Sequence, residues 1–200
     1  PAGASTTVKI QATGEDYRYM SATFLWRDPS RPISISLVDP DGNVRELPLT
    51  GYEQSDWADT NIAYFASRQT TSRNTEHLDI IIYDPMQVAP IPLGEWKVVF
   101  KDEAAPNVAP LTVVGAVADE ISGWGEGILF PEHDSEDHLI GHPGTADEGI
   151  AVAAYTGYSF SGATPGERAY YSGRGRRIDD MAILSISAPD NPITASVSLK

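Results

Sequence analysis

The chain has 200 residues, 41% of them apolar, which is enough for one large domain or a smaller domain with an added segment. Its 28 acidic and 14 basic residues give a formal net charge of −14 at pH 7, so no nucleic-acid partner is expected, because phosphate binding needs clustered Lys and Arg. The absence of cysteine excludes a disulfide framework and a cysteine-ligated zinc site. No apolar run approaches the length of a membrane span, so no membrane partner is expected either.

The first clear elements are two strands joined by a tight turn. Apolar residues and serines alternate over residues 33–37, which predicts a half-buried strand. In the turn 39–43, Pro40 fixes φ and Gly42 tolerates a positive φ, and residues 44–47 form the return strand. The residues predicted to share the buried face are Ile33, Ile35 and Leu37.

Further strands are predicted at short spacing on both sides of this hairpin. The clearest are 78–83 (LDIIIY) and 95–100 (EWKVVF), and the second places Trp96, Val98 and Phe100 on one face. The other candidates are 7–12, 22–27, 62–66 and 111–118. About eight antiparallel strands without helical periodicity predict a mainly β fold, an antiparallel jelly-roll-like β-sandwich over residues 1–130.

Exposed tryptophan side chains would indicate a surface on which sugar rings can stack. Trp96 is predicted in the core from its alternation, and Trp26, at the end of its strand, at the edge of the core. Trp57 lies in the polar segment 53–59 and is predicted to be exposed on a loop. One exposed aromatic ring does not make a sugar site, so none is predicted.

The last third of the chain lacks the alternating strand pattern of the sandwich. Residues 131–143 are predicted to be an acidic linker, and residues 144–200 a separate segment. Within it, residues 149–154 (GIAVAA) form an apolar run of the kind that is buried on both faces of a parallel sheet. If the neighbouring strands are missing, an open edge and an uncovered apolar face remain, so self-association of the chain is expected.

Several sequence pieces resemble those of one enzyme family, the subtilisin-like serine peptidases. In the last segment, four pieces keep the order and spacing of that family's late catalytic-domain strands: 143–147 (PGTAD), 150–156 (IAVAAYT), 170–175 (YYSGRG) and 187–189 (SAP). In the sandwich, the two phrases 34–42 (SISLVDPDG) and 92–98 (PLGEWKV) resemble sandwich domains attached to subtilases. One branch of the family inserts a jelly roll within its catalytic domain, which fits this order of segments.

This resemblance implies that the chain is an internal piece of a secreted subtilisin-like serine endopeptidase: a jelly roll followed by a partial subtilisin-like α/β segment. It implies two partners, the rest of the catalytic domain and a protein or peptide substrate, and a secretion signal outside this chain. The sequence contains neither Gly-Thr-Ser-x-Ala, nor His-Gly-Thr, nor Asp-[Ser/Thr]-Gly. No catalytic residue is therefore expected here, and the chain alone should be inactive.

The same resemblance places Gly141, His142 and Pro143 where the family's primary specificity pocket has its wall. A glycine there leaves room for the substrate side chain, and the histidine could favour particular side chains. The alternative is that Pro143 and Gly144 merely end a loop and begin a strand.

Three segments are candidates for metal or charge binding. Asp39, Asp41 and Asn43 present oxygens at alternate positions, as calcium loops do, although a turn explains the same sequence. Residues 132–138 could hold calcium or zinc, but a solvated linker is the simpler interpretation. The arginine patch 174–177 (RGRR) is a candidate for gripping an acidic partner, and pairing with this chain's own carboxylates is the favoured alternative. By the resemblance, Asp179 and Asp180 lie near where some family members bind a cation, and an exposed pair of loop carboxylates is the favoured alternative. These patterns establish no cofactor, and calcium is the candidate that they leave.

Two functions follow from these observations. In the first, the chain is a structural or access-controlling part of a peptidase, without its own triad. In the second, it is a non-catalytic β-sandwich module for binding or adhesion. The apolar run 149–154 favours the first, because a strand buried on both faces is hard to place in a free-standing antiparallel sandwich.

Overall fold

The structure is a computed structural model that describes residues 4–13, 17–57, 61–104, 108–120, 127–133, 135, 138, 149–157, 164–169 and 172–190. The chain divides into two compact units, Pro1–Asp134 and Ser135–Lys200. The predicted linker 131–143 lies largely outside the described residues, so its bounds stay a prediction.

Within the described residues all regular elements are strands. The first unit contains β1 (Ser5–Ala12), β2 (Tyr19–Arg27), β3 (Ile33–Val38), β4 (Val44–Glu46), β5 (Gly51–Asp56), β6 (Ala63–Thr70), β7 (Thr75–Tyr83), β8 (Gly94–Asp102), β9 (Val113–Asp119) and β10 (Ile128–Leu129). The second unit contains β11 (Ala151–Thr156) and β12 (Leu184–Asp190). No helix that could cross a membrane occurs in the part of the chain that the structure describes.

The first unit is an antiparallel sandwich of two five-stranded sheets. One sheet has the order β10-β1-β8-β3-β4 and the other the order β5-β6-β7-β2-β9. All strand pairs in both sheets are antiparallel. The mainly β, jelly-roll-like fold class predicted from the sequence is therefore confirmed.

Alternation of buried and half-exposed residues, clearest in β2, β3 and β8, builds the core between the two sheets. Trp96, Val98 and Phe100 of β8 all point inward, as predicted from their spacing. The ring of Phe100 packs edge-on against Phe24 of β2, with ring centroids 5.2 Å apart, and so joins the two sheets. In the predicted hairpin, the residues expected on the buried face are also buried: Ile33, Ile35 and Leu37.

Local sequence predicts the hairpin but not every strand. Val38 pairs with Val44 and Ser36 with Glu46, so β3 and β4 form the expected pair around the turn. The strand β5 (GYEQSD) was not predicted, because it lies at the edge of its sheet and carries almost no apolar pattern.

The prediction that Trp57 is exposed on a loop is wrong. Trp57 follows β5 and is only 1% exposed. Its ring packs against Tyr64 at 5.6 Å and Trp96 at 5.5 Å between ring centroids. Its indole Nε1 donates a hydrogen bond to Asp39 Oδ2 at 2.7 Å. The residues that precede Trp57 are polar because they lie on an edge strand, while the indole turns into the core with its N–H satisfied.

Among the described residues of the second unit, β11 and β12 form a parallel strand pair. Residue Ala154 of β11 lies opposite Ala188 of β12, and the register shifts once, between Ala151 and Val152. Two strands alone cannot cover both faces of a sheet. The side chains of Ile150, Val152 and Ile186 are accordingly 82%, 47% and 55% exposed.

Candidate functional site

The predicted pocket wall, Gly141, His142 and Pro143, lies outside the described residues. Its assignment rests on the sequence resemblance and stays a prediction. The described residues next along the chain begin at Gly149, just before β11.

The metal candidate around Asp39 forms a closed turn in the structure. The carboxylate of Asp39 is buried and accepts hydrogen bonds from Asn43 N at 2.8 Å, Asn43 Nδ2 at 2.7 Å and Trp57 Nε1 at 2.7 Å. Gly42 takes φ +89° and donates its N–H to the carbonyl of Asp39. Asp41 is exposed. Because Asn43 donates to Asp39, both residues already have partners, and a cation would have to displace them.

Among the described residues, no group of three or more His, Asp or Glu side chains lies close enough to hold a metal ion. The calcium assignment at Asp39, Asp41 and Asn43 thus stays a prediction, and the geometry supports the alternative interpretation as a turn. Burial acts to raise the pKa of Asp39, but the hydrogen bonds from Asn43 and Trp57 outweigh it and hold the pKa below its ordinary value of 3.8.

We expect Asp39→Ala to destabilise the sandwich by about 1–3 kcal/mol at pH 7, because it removes the acceptor of the buried indole N–H of Trp57 and of two N–H groups of Asn43. A carboxyl whose pKa is lower when folded contributes stability that is complete above its unfolded pKa and is lost as the pH falls through the folded pKa. Urea unfolding from pH 7 to pH 2 should therefore show a weaker acid dependence in Asp39→Ala than in the parent chain. Equal acid slopes in the two proteins would contradict this role, and Asp41→Ala, on the same turn but exposed, is the control.

The acidic segment 132–138 is described only in part. Glu132 accepts a hydrogen bond from Lys9 Nζ at 2.8 Å, and this contact raises the pKa of Lys9 and lowers that of Glu132. His133 and His138 both adopt φ +64°, and Asp134, Glu136 and Asp137 lie outside the described residues. Glu132, the first acidic residue of this segment, therefore forms an ion pair with Lys9.

The arginine patch near β12 makes local contacts. Arg177 Nε donates to Asp179 Oδ1 at 3.0 Å, and this pairing lowers the pKa of Asp179 to about 2. Arg176 Nη1 donates to the carbonyl of Asp180 at 3.1 Å. These contacts support the alternative that the arginines pair with neighbouring oxygens rather than grip an external acidic partner.

Three of the four sequence pieces that resemble subtilases come together in the second unit. The N–H of Ala154 in β11 donates to Ser172 Oγ at 3.0 Å, and the N–H of Ala169 donates to the carbonyl of Ala154 at 3.0 Å. The other side of β11 pairs with β12, which carries the SAP sequence at 187–189. The serine hydroxyl thus ties the SGRG sequence at 172–175 to the parallel strand pair.

A cleft that the sequence did not predict lies on the first unit, beside the ends of β2 and β7. Its volume is about 730 Å³, and its lining combines aromatic, apolar and charged side chains: Arg18, Tyr19, Ile81, Tyr83, Asp84, Gln87 and Glu120. Tyr19 and Tyr83 lie directly opposite each other in the β2–β7 pair. The cleft is open to solvent and offers both rings and hydrogen-bonding groups.

The two carboxylates of this cleft are held by backbone N–H groups. Glu120 accepts hydrogen bonds from the N–H of Arg18 at 2.6 Å and of Tyr19 at 2.9 Å. The backbone N–H of Ala89 contributes most to holding the pKa of Asp84 below its ordinary value, so Asp84 is ionised at neutral pH. Both carboxylates are fixed in orientation. Asp84 is buried and already accepts the N–H groups of Met86, Val88 and Ala89, whereas Glu120 is exposed and keeps lone pairs for a ligand.

Sequence patterns could not reveal this cleft, because its residues come from three distant parts of the chain, 18–19, 81–87 and 120. The alternation in β2 and β7 does place Tyr19 and Tyr83 on the face opposite the core, which is the one signal available beforehand. Their adjacency depends on the pairing register of two strands that lie far apart in the chain, β2 (Tyr19–Arg27) and β7 (Thr75–Tyr83).

No protein-family model matches the chain, and no curated protein matches it. Among solved structures, its fold is similar to that of the CspB protease of Clostridium perfringens, with a TM-score of 0.64 and 16% sequence identity. The match covers 96% of this chain and 38% of the protease chain, so the chain spans well under half the length of that protein. At this identity the likeness is one of fold: the chain folds like part of a protease.

Proposed function

We propose that this chain is part of a secreted subtilisin-like serine endopeptidase. In this proposal the sandwich braces the catalytic domain or limits access to its cleft, and the triad is supplied by residues outside the given range. The observation that carries the proposal is the parallel pair β11–β12, which brings the AVAAYT and SAP pieces side by side. The similarity in fold to part of a Clostridium protease supports it independently.

The parallel pair argues for a larger sheet on physical grounds. Parallel sheets occur almost solely with both faces covered, since their crossover connections place other elements on each side. Here Val152 and Ile186 leave apolar surface uncovered on the two strands. The rest of a peptidase catalytic domain is the partner that would cover it.

Within this function, Gly141, His142 and Pro143 would form a wall of the specificity pocket. Gly141 would leave room for a substrate side chain, and the imidazole of His142 would favour some substrate side chains over others. Protein or peptide chains are the proposed substrate.

The test is the coding sequence on both sides of this range, together with the activity of the longer product. We expect Asp-[Ser/Thr]-Gly and His-Gly-Thr upstream and Gly-Thr-Ser-x-Ala downstream. The longer product should cleave casein and react with a fluorophosphonate probe, whereas the 200-residue chain should do neither. A flanking sequence with none of the three motifs would reject the proposal.

The isolated chain should self-associate through its uncovered strand pair. Light scattering at increasing concentration should detect dimers or larger species, and the double variant Val152→Ser/Ile186→Ser should return the chain to a monomer. Val44→Ser, an exposed apolar position on β4 of the first unit, is the matched control and should leave association unchanged. A monomeric parent chain at all concentrations would contradict the expectation.

The second candidate function is a β-sandwich module for binding or adhesion. The cleft beside β2 and β7 favours it, because a ligand site in the sandwich requires nothing from a catalytic domain. The two functions are separated by the flanking motifs, which the binding module does not need.

A further inference from the structure

The outer surface of the β5-β6-β7-β2-β9 sheet carries a row of aromatic rings. Core residues occupy the alternate positions of these strands, so the remaining side chains point away from the core. They include four that we call the aromatic face: Tyr19, Tyr52, Phe65 and Tyr83. Tyr52 is 76% exposed and Tyr19 is 37% exposed. Exposed rings grouped on one face mark an interaction surface.

The strand order sets the length of this face. From β5, which carries Tyr52, to β2, which carries Tyr19, there are three strand steps, or about 14 Å across the sheet. The register places Tyr52 level with Thr23, four residues from Tyr19, so the rings run diagonally and also extend about 13 Å along the strands. The rings of Tyr52 and Phe65 stack with centroids 6.3 Å apart and planes inclined at 23°. The face is therefore long enough for an extended chain molecule rather than a single small ring.

Hydrogen-bonding groups lie on the same face as the rings. Gln54 Nε2 donates to Tyr83 Oη at 2.6 Å, and Thr23 Oγ1 donates to Asp79 Oδ1 at 2.6 Å. At one end the face opens into the cleft of about 730 Å³, where Arg18 and Gln87 add donors and Glu120 an acceptor. Flat apolar rings alternating with amides, hydroxyls and carboxylates match a ligand that has apolar C–H faces and a rim of hydroxyl groups, which is the chemistry of a sugar chain.

The negative charge of the cleft and of the whole chain disfavours anionic ligands. The cleft lining holds two carboxylates, Asp84 and Glu120, against one guanidinium, Arg18. The whole chain carries a net charge of −14. A polyanion would be repelled from this surface, whereas an uncharged polymer would not.

We propose that the aromatic face and its cleft bind a neutral polysaccharide, whose sugar rings stack on Tyr19, Tyr83 and Tyr52. This site does not depend on the peptidase function proposed above. It would hold the chain against a glycan surface while the second unit performs its own role. A cationic peptide is the competing ligand, because it would also tolerate the carboxylates.

Affinity electrophoresis of the intact 200-residue chain tests this proposal. The gels contain hydroxyethyl cellulose, laminarin or glycol chitin, and a parallel gel contains dextran sulfate. We expect retardation by at least one of the three neutral polymers and none by dextran sulfate. The variants Tyr19→Ala and Tyr52→Ala should weaken binding by about tenfold or more, because aromatic anchors dominate such contacts.

The controls separate loss of a ring from loss of fold. Tyr19→Phe keeps the ring and should retain most of the binding, while Val44→Ala, on the other sheet, should bind like the parent chain. Tryptophan fluorescence checks that each variant is folded. Absence of retardation by all three neutral polymers would overturn the proposal, as would equal weakening by Val44→Ala. Retention on immobilised poly-lysine that requires Tyr19, without retardation by any polysaccharide, would replace the glycan with a cationic peptide and also overturn it.

Discussion

Replacing Glu76 with alanine should cost the sandwich about 3–5 kcal/mol of stability, because it leaves a buried guanidinium without its counter-ion. Arg68 and Glu76 are both buried, and Arg68 Nε donates to Glu76 Oε1 at 2.8 Å. Glu76 also accepts a hydrogen bond from Thr70 Oγ1 at 2.7 Å. The guanidinium of Arg68 lies 5.1 Å from the ring centroid of Trp26 and donates to the carbonyl of Ile33.

Urea unfolding followed by tryptophan fluorescence measures this effect, since all four tryptophans belong to the first unit. The informative comparison is the double variant Arg68→Met/Glu76→Leu, which removes both charges and keeps apolar volume. It should recover most of the loss, because replacing a buried ion pair by apolar residues is often neutral. If Glu76→Ala costs less than about 1 kcal/mol, the pair is not buried as described, for that is the range of exposed pairs.

Trp57→Ala should have a comparable effect, about 3–5 kcal/mol, because it opens a cavity next to Tyr64 and Trp96. It also removes the hydrogen bond from the indole Nε1 to Asp39. Trp57→Phe keeps most of the ring volume but not the donor, and should cost about 1–3 kcal/mol. The same urea titration measures both variants.

The matched control is Tyr52→Ala, an aromatic residue on the preceding strand that is exposed to solvent. It should change stability by no more than about 0.5 kcal/mol. Equal losses for Trp57→Ala and Tyr52→Ala would return Trp57 to the exposed position predicted from its polar neighbours.

The strands β3 and β8 and the residue Trp57 show what the local sequence can and cannot predict about burial. The period-two alternation in β3 and β8 predicted both strands and their buried faces, because side-chain direction in a strand follows directly from position. Trp57 was misjudged because its neighbours are polar and belong to an edge strand. Burial of a residue outside the alternating pattern depends on which element packs over it, and here that element is the strand carrying Trp96.

For the candidate sites too, features set by neighbouring residues were predicted and features set by distant residues were not. The turn at Asp39 was predicted, since proline and glycine act locally. The role of the Asp39 carboxylate was not, because its partner Trp57 is eighteen residues away in the chain. The cleft on the first unit was missed altogether, because it is assembled from residues 18 to 120 by strand pairing.

The sequence by itself determined the mainly β class, the central hairpin and the inward faces of its strands, since all three depend on short-range periodicity and turn chemistry. It also determined the negative charge that restricts the partners of this chain. The tertiary structure alone decided the pairing of β2 with β7, the buried Arg68–Glu76 pair and the parallel alignment of β11 with β12. The reason is physical: contacts between distant segments depend on register and packing, which the local pattern of residues leaves open.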